Sequence, residues 1–159
     1  MLKRIETKII LALLGCFLIS VAFSAVYRYD NQKVIISGHE TDYAAAEDYS
    51  YYIDSITKND KQVRIEGWVA KLGQDIDYVN RTIVLIDTKG QLYHLNTVMV
   101  VRTSVTEYFN DGHDYDHSGI CAACMLSDLQ PDETYKVGVI IREKDGSTSL
   151  LITDKTVSG

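Results

Sequence analysis

The chain has little proline and no tract of biased composition. Pro occurs once in 159 residues, hydrophobic residues make up 46%, and 11 of the aromatic residues are Tyr. Disordered segments are poor in hydrophobic and aromatic residues and are often rich in Pro. The composition therefore argues against a disordered tail and predicts a folded domain.

Basic residues are also scarce over most of the chain. From Arg28 onward there are 13 Lys and Arg against 21 Asp and Glu. Such an acidic surface repels phosphate backbones, which argues against nucleic acid as a partner. Catalytic signatures are lacking too, since no Ser-His-Asp or Cys-His-Asn order, phosphate loop or carboxylate pair stands out. We predict a protein that is not an enzyme and that needs no cofactor.

One long hydrophobic run interrupts this polar chain. Residues 9–26, "IILALLGCFLISVAFSAV", contain no charged side chain. At about 1.5 Å per residue, a helix of this length nearly spans a hydrocarbon core roughly 30 Å thick. Three basic residues lie in the preceding segment 1–8, which places the N-terminus in the cytoplasm by the positive-inside rule. The membrane is thus a predicted partner, through residues 9–26.

Three versions of this segment remain open. It is a retained anchor, or a cleaved signal with small residues at Ala22 and Ser24, or a lipoprotein signal ending at Cys16. All three versions export the rest of the chain. We expect a membrane-anchored protein whose C-terminal domain is extracytoplasmic, with a secreted protein and a lipoprotein as the alternatives.

The remainder has the pattern of short strands separated by turns. Residues 27–49 are mixed and polar and predict a spacer, whereas residues 50–159 predict a domain of β-branched runs. No crossover helix is indicated between these runs, which favours an all-β, seven-stranded antiparallel sandwich. The predicted strands are 51–57, 62–72, 81–87, 91–101, 119–126, 134–142 and 147–153. The core candidates are Ile53, Val63, Ile65, Val84, Ile86, Val137, Val139 and Ile141.

Four segments in this order, "IEGWVA", "VRTSV", "YDHSGI" and "LQPDETYKVGVII", resemble a known family. It is a β-sandwich, Ig-like accessory domain found in extracytoplasmic parts of bacterial envelope membrane proteins and beside glycosyltransferases. The resemblance covers about residues 50–155. Its matched positions are Gly67-Trp68, Arg102 with Val105, Ser118-Gly119 and Tyr135, and its departures are Ser104, Ile120 and Glu133.

The resemblance implies an Ig-like sandwich without catalytic residues of its own. Because Ser104 replaces the family's acidic residue, any carboxylate that pairs with Arg102 must be distant in sequence. With the export signal, this predicts a non-enzymatic, membrane-tethered module of the bacterial cell envelope that contacts a glycan or another envelope protein.

Four residues near one turn are the candidate glycan contacts. Trp68 and Tyr78 provide aromatic faces, and Asp75 and Asp77 provide acceptors for sugar hydroxyls. Trp68 shares strand parity with polar residues, which places it on an outer face unless a bulge at Gly67 turns it inward. We expect Trp68 to be buried.

The alternative function is a metal- or thiol-dependent one based on residues 111–124. The metal-ligand candidates there are His113, Asp114, Asp116, His117, Cys121 and Cys124. The segment begins like a calcium-binding EF-hand loop, but Met125 stands where the loop needs its final acid. A zinc shell is also disfavoured, because Cys121 and Cys124 point to opposite faces if they lie on a strand. The favoured interpretation is a polar loop that leads into a core strand.

Overall fold

A computed structural model describes residues 2–32 and 34–159 of the chain. The chain divides into two compact units, Met1–Gln32 and Lys33–Gly159. Each unit is described by itself.

The first unit is one helix, α1, which covers Leu2–Gln32. Its stretch Lys8–Val26 is long and apolar enough to cross a membrane, although a signal sequence near an N-terminus meets the same criteria. None of the side chains in that stretch is buried. The helix predicted for residues 9–26 is therefore confirmed, and it continues beyond this segment at both ends.

The second unit is mainly β-structure with one short α-helix. Over the described residues 34–159, ten strands form a six-stranded sheet in the order β1-β6-β5-β9-β10-β2 and a four-stranded sheet in the order β3-β4-β8-β7. The strands are β1 Ile35–His39, β2 Ala44–Ala45, β3 Tyr49–Lys58, β4 Gln62–Lys71, β5 Arg81–Ile86, β6 Gln91–His94, β7 Thr97–Val100, β8 Gly119–Met125, β9 Thr134–Arg142 and β10 Thr148–Ser158. Helix α2 covers Thr103–Phe109, and single 3-10 turns cover Glu40–Asp42, Asp116–Ser118 and Leu126–Asp128.

The two sheets bury their inward faces in one shared cluster of side chains. The six-stranded sheet contributes alternate residues of β5 and β9, and the four-stranded sheet contributes alternate residues of β3, β4 and β8. This alternation is the period of a strand with one buried face. Members of the cluster include Ile53, Val63, Ile65, Val69, Ile83, Leu85, Ile120, Tyr135, Val137, Val139 and Ile141.

Strand β5 is buried on both faces. Val84 and Ile86, two of the predicted core residues, are buried but lie in a second cluster with Leu92, Ile140 and Leu150. Their neighbours Ile83 and Leu85 face the shared core instead. An uninterrupted apolar run is expected where both faces are covered, and such a run does not reveal which residues face which layer.

The strand count differs from the predicted seven. Residues 27–49, predicted as a spacer, include β1, which pairs with β6, and β2, which pairs in parallel with β10. The predicted strand 91–101 is two strands, since β6 belongs to the six-stranded sheet and β7 to the four-stranded sheet. Helix α2 was not predicted.

Gly119 and Arg102, two of the positions that match the envelope family, lie next to each other at the four-stranded sheet. A Cβ atom on Gly119 would collide with the Val100 carbonyl oxygen and with Cγ of Arg102. The Arg102 side chain passes over this glycine, and its Nη2 forms an ion pair with Asp54 Oδ2 at 2.8 Å. The long-range acidic partner expected for Arg102 is thus confirmed as Asp54.

The irregularity near Gly67 is on the neighbouring strand. Ile53 pairs with Gly67 and Ser55 pairs with Glu66, so that Asp54 is the extra residue of a bulge in β3. The alternative that a bulge at Gly67 turns Trp68 inward is therefore wrong, because the extra residue lies in β3. Strand β4 keeps its alternation through this glycine, with Ile65 and Val69 both buried in the shared core.

We predict that Gly119→Ala lowers the free energy of unfolding by about 1–3 kcal/mol, the usual range for overpacking. The new methyl group would meet the main chain of β7, which cannot move without disturbing the sheet. Urea unfolding of the full chain in detergent, followed by the fluorescence of Trp68, measures the change.

The matched control is Gly138→Ala in β9. A Cβ atom there would lie 3.1 Å from Ile86 Cδ1 and 3.2 Å from both Val84 Cγ2 and the Leu151 carbonyl oxygen. These contacts are tight but not colliding, so we expect a smaller loss of stability. An equal or larger loss in Gly138→Ala would contradict the close approach at Gly119.

Candidate ligand-binding site

A polar cleft lies at the end of the second unit where β4 ends, β5 begins and β9 ends. Its volume is about 200 Å³. Three of the four predicted glycan contacts, Asp75, Asp77 and Tyr78, line it together with Tyr49 and Arg81. The sequence pattern therefore located one wall of this cleft, while Trp68 is not among its lining residues.

The wall formed by residues 72–80 is fixed through Asp75. The Asp75 carboxylate accepts a hydrogen bond of 2.8 Å from the Asp114 main-chain N–H and lies 3.1 Å from Nδ1 of His113. The main-chain N–H of Ile76 donates to the Asp114 carbonyl at 3.0 Å. The hydrogen bond from Asp114, followed by that from His113, holds the pKa of Asp75 below its usual value. Asp75 thus joins this loop to residues 110–118.

Tyr115 forms a second connection between the two loops. Its side chain is fully buried, and its hydroxyl donates to Asp111 Oδ2 at 2.7 Å and accepts from the Gly73 N–H at 2.8 Å. Burial raises the pKa of Tyr115, and the hydrogen bond from Tyr115 lowers the pKa of Asp111. The stretch before β8 is therefore the polar loop that was predicted, held by a buried tyrosine.

Arg81 is the functional candidate that the sequence reasoning missed. It lies at the start of β5 and shares strand parity with Ile83 and Leu85, yet only 6% of its surface is exposed. Its Nη1 donates to the carbonyl oxygens of His117 and Ser118 at 3.3 and 3.4 Å. Burial lowers the pKa of Arg81 to about 10, which leaves the side chain charged at neutral pH. The sequence did contain one signal for Arg81, because in "RTIVLI" it alternates with Ile83 and Leu85 and so falls on the same inward face of the strand.

Trp68 is covered by helix α2 and does not reach the cleft. It lies on the outer face of the four-stranded sheet, is half-buried, and packs edge-to-face on Phe109 with ring centroids 5.6 Å apart and an interplanar angle of 84°. Phe109 in turn contacts the ring of Tyr115. These rings, with Ala70 and Val105, form a small separate cluster. The expected burial of Trp68 is therefore wrong, since the side chain is only half-covered, from outside, and is not turned inward.

Two of the metal-ligand candidates, Asp114 and Asp116, accept hydrogen bonds from their own loop and from helix α2. Asp114 Oδ1 accepts from the Asp116 main-chain N–H at 2.8 Å, and Asp116 Oδ1 accepts from the Thr106 hydroxyl at 2.6 Å. His117 is exposed. Within residues 2–32 and 34–159, no group of three or more His, Cys, Asp or Glu side chains could hold a metal ion.

The two cysteines of β8 lie on opposite faces, as their spacing predicted. Cys124 is fully buried in the shared core, whereas Cys121 is half-buried on the other face, and both are free thiols. Burial raises the pKa of Cys124 to about 11 and also raises the pKa of Cys121. Because the thiolate is the reactive and metal-binding form, these environments do not favour thiol chemistry.

Comparison of the chain with protein-family models, with curated proteins and with solved structures finds no match. The likeness to the envelope accessory domain therefore stays a prediction that rests on the motifs quoted from the sequence.

We predict that Phe109→Ala shifts the emission of Trp68 to longer wavelength and makes it easier to quench with iodide. The reason is that the Phe109 ring covers the indole from the solvent side. The control is Tyr108→Ala on the same helix, because Tyr108 is 80% exposed and packs only on Phe109 among the described aromatic rings. Equal spectra for Phe109→Ala and the wild type would contradict this packing.

Proposed function

We propose that the protein is a non-enzymatic, membrane-tethered module of the bacterial cell envelope, with an Ig-like sandwich that binds a saccharide in the polar cleft. The observation that carries the proposal is the placement of Asp77 and Tyr78, on a fixed loop, in one cleft with Tyr49. Another envelope protein is the alternative partner. The polar lining and small volume of the cleft favour a saccharide over a protein segment.

The chemistry of the cleft suits a sugar ring. Tyr78 is 42% exposed, and its hydroxyl lies 3.3 Å from Nδ2 of Asn80, which helps to orient it. An aromatic face contacts the apolar side of a sugar, while carboxylates such as Asp77 accept hydrogen bonds from its hydroxyls. Pockets for drug-sized ligands have volumes of roughly 300–1,000 Å³. A cleft of about 200 Å³ therefore suits a single sugar unit.

The cleft loop is well fixed before a ligand arrives. Gly73, Asp75 and Ile76 each form a hydrogen bond to the 110–118 loop. A loop that is already ordered loses less conformational entropy on binding.

Helix α1 supports the membrane-tethered part of the proposal. The apolar stretch Lys8–Val26 suits a span, and the basic residues before it suit a cytoplasmic N-terminus. Whichever of the three versions of this segment holds, we propose that the cleft faces the extracytoplasmic space, where envelope glycans are found.

We predict that Tyr78→Ala weakens saccharide binding by about tenfold or more, which corresponds to about 1.4 kcal/mol. Ligand-observed NMR with a panel of envelope mono- and oligosaccharides measures the binding. The full chain is used in a detergent without a sugar headgroup, because such a headgroup would compete. Tyr108→Ala is the control, since it removes an exposed tyrosine that is not among the cleft-lining residues. Binding that survives Tyr78→Ala, or a panel without any binder, would refute the proposal.

We predict that a version with an added C-terminal Cys is labelled in intact cells by a membrane-impermeant maleimide. The same version without the added Cys corrects for Cys16 and for the partly exposed Cys121. Labelling that requires cell lysis would show the opposite orientation.

A further inference from the structure

The buried charge of Arg81 has no acidic partner in the part of the chain that the structure describes. Among the described residues no carboxylate forms an ion pair with Arg81, and its two hydrogen bonds are long ones from Nη1 to main-chain carbonyls. Close by, the buried hydroxyl of Ser118 has no hydrogen-bond partner within this part of the chain. Burying a charged group is costly unless it is paired. At the inner end of the cleft, Arg81 therefore has no negative partner within residues 2–32 and 34–159.

The cleft, with Arg81 included, is more positive than the chain as a whole. Its lining carries four basic side chains against three carboxylates, although the chain has a net charge of −6. One of these carboxylates, Asp75, is already engaged by His113 and Asp114. Charges more than about 8 Å apart are largely screened at physiological ionic strength. The charges that line the cleft, and not the net charge of the chain, therefore decide which ligands it attracts. The basic residues are Lys71, Arg81, Arg142 and Lys144.

Two guanidinium groups are available to a ligand. Lys71 forms an ion pair with Asp48 at 3.6 Å, whereas neither Arg81 nor Arg142 has a carboxylate within ion-pair distance among the described residues. Arg142 is exposed at the end of β9, and its main-chain N–H donates to the Asn80 carbonyl at 2.9 Å. A guanidinium presents a planar fork of N–H donors that matches the oxygens of a carboxylate or a phosphate.

We propose that the saccharide bound in this cleft is acidic, and that its carboxylate or phosphate accepts hydrogen bonds from Arg81 at the inner end with Arg142 at the rim. Tyr78 and Asp77 then contact the ring and hydroxyls of the same unit. This inference rests on the proposed saccharide binding and specifies its ligand. Arg81 lines the cleft with the small part of its surface that is exposed, so the anion would complete a pairing that the protein leaves open.

The test compares matched neutral and acidic sugars on the full chain in a detergent without a sugar headgroup. The probes are D-glucose, D-glucuronate and D-glucose 6-phosphate, the corresponding galactose set, and inorganic phosphate alone. Hydrogen bonds to charged groups are roughly twice as strong as neutral ones. We expect an acidic sugar to bind about tenfold or more tightly than its neutral counterpart in ligand-observed NMR titrations. The uronate and phosphate arms identify which anion is preferred.

Substitutions of the two arginines test whether they cause the preference for acidic over neutral sugars. We expect Arg142→Gln to reduce the ratio between acidic and neutral sugar, and Arg81→Lys, which keeps the charge but loses the fork, to reduce it as well. Lys89→Gln is the control, because it makes the same change of charge in the β5–β6 turn, away from the cleft lining. An unchanged ratio in Arg142→Gln and Arg81→Lys would overturn the inference.

The outcomes separate this inference from the proposed function. Equal binding of acidic and neutral sugars would overturn the acidic ligand while saccharide binding stands. No binding by any sugar would overturn both. Inorganic phosphate that binds as tightly as the sugar phosphates would indicate a free-anion site and count against a saccharide. If Arg81→Lys does not fold, the wild-type comparison and Arg142→Gln still decide.

Discussion

The rest of the second unit depends on the burial of two inward sheet faces against each other. Alternate side chains of β5 and β9 meet alternate side chains of β3, β4 and β8 in one apolar cluster. Where this cluster ends, the strand parity that supplies Ile83 and Leu85 supplies Arg81, a charged residue in a core position. The cleft lies at that end of the core. The fold thus places a guanidinium in a region with little water. Because the local dielectric constant is low there, a hydrogen bond from this group to an anion is stronger than it would be at the surface.

The loops around the cleft are ordered by polar residues that have the residue types of a metal or redox site. Asp75, Asp111 and Asp114 accept hydrogen bonds from main-chain or tyrosine donors, and each contact fixes one loop to another or to itself. Tyr115 anchors the segment from within a small aromatic cluster. The stretch "NDGHDYDHSGICAAC" is therefore explained by loop structure and by the two faces of β8.

Three of the four motifs that resemble the envelope family meet in space for a steric and electrostatic reason, while the fourth, with Tyr135, lies on β9 of the other sheet. Trp68 pairs with Gly119 across the β4–β8 ladder, and Gly119 leaves the room through which Arg102 reaches Asp54. Motifs that lie up to about fifty residues apart thus describe one patch of the four-stranded sheet. Sequence reasoning anticipated a distant acid for Arg102, but it could not name Asp54. The identity of that acid depends on a bulge in β3 that has no local signature.

Local sequence patterns determined the type of several elements and the buried face of some strands. The uncharged run 9–26 specified a helix, the alternation in 134–142 specified a strand and its buried face, and the spacing of Cys121 and Cys124 specified opposite faces. Residues far apart in the chain decided the rest. The continuous run 91–101 divides between two sheets, and α2 is stabilised by packing on Trp68 and Tyr115 more than by its own seven residues. The cleft lies between strand ends that become neighbours only when both sheets have formed. The sequence could not predict this, because the alternation within a strand shows which residues share a face but not which strand lies beside it.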